Sequence, residues 1–474
     1  MRYSISNLVV SCIFLSGFFF LIIEDFYYLN LISKFYLITT YIICSSIILI
    51  YLFNKNNNNY IPILPLTCFF FLTCYLSVSF LNFEIFFENQ HVELNDINYA
   101  IKLLFFGILS MIIGYILTLA VLKKFNRKGL KLLNLSLDEI FLYGLLINLS
   151  LIFVYYLFKI QIYLPPLFQV KYPLLSIGFA LFTNYIYHRK KFFDRKVLTI
   201  LFLKCYIILS ELISGSYALP FTLIFLDYIY YCYLDKKTNM FPVLIFCLVF
   251  FAVHEGKEKF RKMTWEISSD KSYYEKTKLF LKVNKNIFSS NDFFLDMLDG
   301  KNQTNRRISH SFESLVIVSS KTPQDIPYWN GYSYNILKSK IIPRILWKDK
   351  PDDQLGNEFG HRYGILTDNQ DFKDLNTSWN MPVLNEFYVN FGLKGVMCGM
   401  LLIGIFFAAL TKFFSFKNNL NLESIFTFYL FVPLFFLESH LSILIGALLQ
   451  SYLFLLIGSI IYVLFTRKIF KNNL

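Results

Sequence analysis

Apolar runs of about 20 residues recur along the chain, each long enough as an α-helix to cross a bilayer core of about 30 Å. Read as helices, they predict about twelve membrane spans, near residues 6–23, 36–53, 61–81, 100–122, 140–158, 172–187, 197–214, 218–234, 241–253, 392–411, 421–437 and 443–466. The run at 241–253 is short, so its helix either starts earlier or stands nearly upright. One long polar segment, 254–391, interrupts the pattern. The chain thus divides into a first group of spans (1–253), a polar segment with amphipathic helices (254–391) and a closing group of spans (392–474).

Linker charges orient these spans. One set carries Arg2, Lys55, the cluster Lys123, Lys124, Arg127, Lys128 and Lys131, and the cluster Arg189, Lys190, Lys191, Arg195 and Lys196. It also carries Lys236, Lys237, Lys412, Lys417, Arg467, Lys468 and Lys471. The short linkers of the other set hold only Lys34, Lys159 and Lys171 among cations, beside Glu24, Asp25, Glu84, Glu88, Glu93 and Asp96. Positive charge gathers on the cytoplasmic side, so both termini are expected in the cytoplasm and the polar segment outside. That segment is nearly balanced in charge. The net +13 of the chain is therefore mostly a topology signal and does not argue for a nucleic-acid partner.

Composition agrees. Charged residues are 16% of the chain, against roughly a quarter in soluble domains. All 8 cysteines (Cys12, Cys44, Cys68, Cys74, Cys205, Cys232, Cys247, Cys398) lie in or at the start of apolar runs, so they predict neither a disulfide framework nor a metal site. The first run lacks a small-residue cleavage site and is followed directly by "EDFYY", so it is read as a span.

Two charges fall inside spans. Lys204 and Asp227 lie in neighbouring helices, each roughly 12 Å deep at about 1.5 Å per residue. Unpaired charge there is costly, so an ion pair is expected, as a helix clamp or as part of a proton relay. Glu211, two turns outward of Lys204, is expected to face an outward-open cavity.

No phosphate loop, dinucleotide fingerprint, zinc-protease motif, CxxC or DxD occurs, and no His pair has ligand spacing, so neither a metal nor another cofactor is called for. The matched broken helices of an inverted-repeat transporter are missing too. Glu24 and Asp25 resemble the acidic pair near the first outer loop of polyprenyl-phosphate-dependent membrane glycosyltransferases. Their plainer reading, which is preferred, is as topology charges at a helix end.

The polar segment holds all four tryptophans, Trp265, Trp329, Trp347 and Trp379. Such rings cover apolar faces of sugars or anchor at the lipid–water boundary. Three stretches carry chemistry. In "TNRRISHSFESLVIV" (304–318), Thr304 or Asn305 can cap a helix whose apolar side holds Ile308, Phe312, Leu315 and Val316. Arg306 and Arg307 then sit in its first turn, where the helix dipole disfavours cations, so an anion is a natural partner. In "PYWNGYSYNILKSKIIPRILWKDKP" (327–351), Pro343 restricts Ile342 to extended geometry and aims Arg344. Arg344 with Lys348 and Lys350 suits a diphosphate, as a bidentate fork plus point charges; otherwise the stretch is a solvated charged turn. In "NTSWNMPVLNEFYVNFGLKG" (376–395), Glu386 falls at the outer membrane boundary. A partly desolvated carboxylate there can act as general base, or merely begin an interfacial helix.

At these stretches the chain resembles the O-antigen polymerase (Wzy-type) family of oligosaccharide repeat-unit polymerases. The residues that carry the likeness are Arg306 and Arg307, "GYSY" (331–334), "PRILWKDKP" (343–351) and "NEFYVNFGLKG" (385–395). One departure is "SGSYALP", where Tyr217 stands in a place that family members often give to an arginine. The resemblance implies an all-α, GT-C-like polytopic membrane protein of the bacterial inner membrane. It implies transfer, on the periplasmic face, of a growing glycan from undecaprenyl diphosphate to a new lipid-linked repeat unit. Arg344, Arg306, Arg307, Lys348 and Lys350 would hold the diphosphate, Glu386 with Arg344 would serve catalysis, and Trp347, Trp379 and Tyr334 would contact sugar. Its partners would be the lipid-linked donor and acceptor, membrane lipid and a chain-length regulator protein. The rivals are an O-antigen ligase, with lipid A core as acceptor, and a lipid-linked oligosaccharide transporter.

Overall fold

In a computed structural model, the described residues are 29–53, 63–75, 92–122, 136–158, 166–189, 194–215, 217–235, 272–288, 303–342, 353–366, 379–413 and 437–446, with a few isolated positions between. Every regular element among them is helical. They are α1 (Leu31–Phe53), α2 (Ile63–Cys74), α3 (Leu94–Leu122), α4 (Leu137–Leu151), α5 (Pro166–Arg189), α6 (Arg195–Ile213), α7 (Ala218–Asp235), α8 (Tyr273–Phe288), α9 (Gln303–Lys321), α10 (Tyr332–Ile341), α11 (Leu355–Arg362) and α12 (Val383–Phe413). A short helical stretch follows at 441–446.

Among the described residues, four helical stretches are long and apolar enough to cross a membrane: α1, α3, α12, and α4 together with the π-helical turn Ile152–Leu157 that continues it. The protein is therefore all-helical and membrane-embedded. Of the expected spans, those near 6–23, 241–253, 421–437 and 443–466 lie wholly or mostly outside the described residues. The others overlap α1–α7 and α12, and the polar segment contains α8–α11.

Local chemistry explains several boundaries. Ser136 and Glu139 form a reciprocal capping box at the start of α4, with Ser136 N–H donating to Glu139 Oε2 at 2.7 Å. Asp194 caps α6 by accepting from Lys196 N–H. Ser272 and Glu275 form a second box at α8. α9 begins at Gln303, so Thr304 and Asn305 lie inside its first turn rather than ahead of it. Helix ends fray by a residue or so, and the apolar face is as expected: Phe312, Leu315 and Val316 are fully buried.

The principal packing joins α3 to α12. Their backbones touch: a Cβ at Gly404 would stand 2.0 Å from the Met111 carbonyl oxygen, and one at Gly114 would stand 2.4 Å from that of Leu401. Small residues at a crossing are how apolar helices gain contact where lipid removes the hydrophobic drive. α12 breaks once, at Phe391–Gly392. Gly392 has φ 61, and a Cβ there would meet Tyr328 Oη at 2.7 Å, so only glycine suits the bend. The break divides α12 into a buried helical start (383–390) that carries Asn385, Glu386 and Asn390, and an apolar continuation that coincides with the span expected at 392–411.

Candidate functional site

The start of α12 gathers the polar segment around it. Glu386 is fully buried. Its Oε1 accepts from Ser333 Oγ on α10 at 2.6 Å, and its Oε2 accepts from the Leu441 N–H at 2.7 Å. One turn on, Asn390 Nδ2 donates to Ser333 Oγ at 2.9 Å and to the Glu386 carbonyl at 2.8 Å, while its Oδ1 accepts from Gly331 N–H at 2.9 Å. On the other side, Asn385 Nδ2 donates to Ser314 Oγ of α9 at 2.7 Å. Residues 385, 386 and 390 thus fasten α9, α10 and the 437–446 stretch to one helix end. Buried polar groups of this kind are costly unless paired, and each of these is paired.

A second cluster adjoins the first through Leu441. Lys340, at the end of α10, makes an ion pair with Asp353 at 2.8 Å. Ser442 Oγ donates to Asp353 Oδ2 at 2.5 Å and lies 2.7 Å from His440 Nδ1, and His440 Nε2 stands 3.8 Å from Asp353 Oδ1. Lys340 and Asp353 bracket the stretch that carries Arg344, Lys348 and Lys350. The pair therefore closes that stretch at its neck, against the Glu386 network.

Electrostatics make the neck acid-sensitive. Burial opposes the charged form of Asp353, but His440, Lys340 and Ser442 outweigh it and hold its carboxyl below the ordinary carboxylate value. Burial depresses His440, Asp353 opposes this, and Lys340 adds to it, leaving the imidazole below its ordinary value. In both cases the unfolded chain takes up protons that the folded one refuses, so stability falls on acidification. The loss is expected to begin near pH ~6.5, where an unfolded histidine titrates, and to deepen below about 3.9, where an unfolded aspartate does. Thermal melting across pH checks this, and His440→Gln is expected to remove the upper window and to weaken the lower one, because His440 is the first of the groups that hold Asp353 down.

The remaining expected residues fall as follows. Arg344, Lys348 and Lys350 lie outside the described residues. Arg306 and Arg307 belong to the opening turns of α9, with their side chains outside the description. Trp347 is exposed. Trp379 stacks on His310 at 4.2 Å, so one face of its indole is covered. Tyr334 lies against Phe391 at 6.2 Å, and burial, with Glu386 nearby, pushes its phenol up, so it is a neutral hydroxyl. Glu386, expected to be partly desolvated, is fully buried.

Lys204 and Asp227 meet directly, and Thr183 bridges them, accepting from Lys204 Nζ at 2.7 Å and donating to Asp227 Oδ1 at 2.8 Å. Glu211 does not face a cavity. Lys171 of α5 pairs with it at 2.5 Å, and Tyr156 in the π turn donates to it at 2.5 Å. The turn at Ser214–Tyr217 receives an arginine from elsewhere in the chain: Arg261 donates Nε and Nη2 to the Gly215 carbonyl at 3.0 and 2.8 Å. We predict that Asp227→Leu alone costs about 3–5 kcal/mol by stranding Lys204, whereas Asp227→Leu with Lys204→Met recovers most of it. Thermal melting of both variants in detergent checks this.

Sequence reading gave no role to Ser333 and Asn390, though both lie in stretches that carry the resemblance, and passed over Lys340, Asp353, His440 and Ser442. A signal existed for Asn390: with Glu386 it makes an i, i+4 polar pair in an apolar helix start, which asks for buried partners. The others come from segments far apart in the chain, and only the fold joins them. Among the described residues no group of three or more His, Cys, Asp or Glu could hold a metal ion. Comparison with models of protein families, with curated proteins and with solved structures finds no match in any of the three.

Proposed function

We propose that this protein polymerises undecaprenyl-diphosphate-linked oligosaccharide repeat units on the periplasmic face of the bacterial inner membrane. The observation that carries the reading is the neck. The Lys340–Asp353 pair brings both ends of the cationic stretch together beside the network centred on Glu386. Stretches 331–334 and 385–395 meet in that network, and Lys340 and Asp353, which flank 343–351 in the chain, pair beside it.

In the reaction, an acceptor hydroxyl oxygen bonds to the anomeric carbon of the donor glycan. The bond from that carbon to the diphosphate oxygen breaks, undecaprenyl diphosphate leaves with the electron pair, and the hydroxyl proton passes to the leaving diphosphate or to water. Arg344, Lys348 and Lys350, with Arg306 or Arg307, stabilise the charge growing on the diphosphate. Glu386, sealed behind Ser333 and Leu441, fits a positioning part better than direct contact with the acceptor. Trp347 is the aromatic face best placed for sugar, since His310 covers one side of Trp379.

Deleting the chain from its cell tests the reading. Single repeat units are expected to persist on the final acceptor while the ladder of longer products disappears. Loss of the single units as well would point to a ligase, and an unchanged ladder would contradict the proposal.

A further inference from the structure

We infer that the exposed face of α8 is a docking surface for the headgroups of anionic phospholipids in the bilayer that holds the spans. The inference does not depend on the glycosyltransferase reading. α8 is amphipathic. Its inner face buries Phe280, Val283 and Asn284, with Phe280 edge-on to Phe260 at 5.6 Å and tilted against Tyr217 at 6.4 Å. Its first residue is tied down too, with Tyr273 Oη lying 3.4 Å from Ser210 Oγ of α6. Ser210 is close to the end of α6, and Tyr217 immediately precedes α7. Both contacts therefore fix α8 over the α6–α7 turn, which the linker charges assign to the outer membrane boundary.

The outer face is then left with a distinctive mix. Tyr274 is 76% exposed and Leu281 62%, so an aromatic and an aliphatic side chain project from the same face as the lysines. Lys278, Lys282 and Lys285 are exposed between and beside them. Positions 274, 278, 281 and 285 form one stripe at helical spacing. The only acid of the helix, Glu275, turns back to cap Ser272. An aromatic and a leucine that can enter the headgroup layer, flanked by lysines whose stems lie along it and whose ammonium groups reach phosphate, is the composition of an interfacial helix. Charge complementarity selects the anionic lipid.

The test uses the full chain in nanodiscs of phosphatidylcholine with a minor share of phosphatidylglycerol, and in native membranes. A photo-reactive amino acid is placed at 274 or at 281, and at Leu402, an exposed position on α12, as the reference. At 274 and 281, phospholipid adducts are expected, with phosphatidylglycerol enriched several-fold over its share of the bilayer. At 402, adducts are expected to follow composition. The triple variant Lys278→Glu, Lys282→Glu, Lys285→Glu is expected to abolish the enrichment while leaving the adducts at 402 unchanged. The single variant Lys282→Glu is expected to reduce it, should the triple change fail to fold. Adducts to another protein, quenching by water alone, or phosphatidylglycerol captured only in proportion to its share would each overturn the proposal.

Discussion

Replacing Arg344 with alanine is expected to abolish long polymer while leaving single repeat units on the lipid core. The departing diphosphate concentrates negative charge as the sugar–oxygen bond breaks, and a fixed donor aimed at that charge acts more strongly in the transition state than in the ground state. Removing one such donor costs roughly 100- to 1,000-fold in turnover. Lysine at 344 is expected to rescue poorly, because the guanidinium grips two oxygens in one plane and an ammonium does not. The readout is the ladder of product lengths, scored with expression and melting of the variant held near the parent. A parental ladder in Arg344→Ala would remove the residue from the chemistry.

The second large effect is expected at Glu386. Alanine there leaves the Ser333 hydroxyl and the Leu441 N–H buried without their acceptor, and each orphaned donor costs about 1–3 kcal/mol. α10 and the 441–446 stretch should loosen from α12 together, with a fall in melting temperature and loss of the ladder. Glutamine separates two roles. Its carbonyl oxygen can still accept from Ser333, but its amide faces the Leu441 N–H donor to donor, so one of two bonds survives. If Glu386 positions the neck, Glu386→Gln keeps part of the ladder with an intermediate melting temperature. If Glu386 takes the acceptor's proton, the same variant stays folded and makes no polymer at any pH.

How far the sequence foretold this molecule depends on the range of the interaction concerned. Helices were legible because their main cause, a run of apolar residues, is local. The Lys204–Asp227 pair was legible because two charges at one depth in adjacent spans have few other ways to be satisfied. Glu211 went astray because its partner, Lys171, reads as a linker cation at a span end until α5 is seen to begin at Pro166. The sequence pointed to Glu386 but not to its full burial, which is set by Ser333 inside the polar segment and Leu441 beyond it. Asp353 looked like one more acid in "KDKPDD". Only the return of 437–446 to the start of α12 gives it His440 and Ser442. Long-range closure of this kind leaves no periodic trace, and an apolar chain hides its few polar partners among ordinary linker residues.

The central claim is that this chain alone joins lipid-linked repeat units. It is tested most directly by supplying the purified full-length protein, in liposomes, with undecaprenyl-diphosphate-linked repeat units and no other glycan. The account predicts a ladder of lipid-linked products, with one undecaprenyl diphosphate released for every new glycosidic bond. Folded protein that yields no ladder, or that forms product only when lipid A core is added, would contradict it.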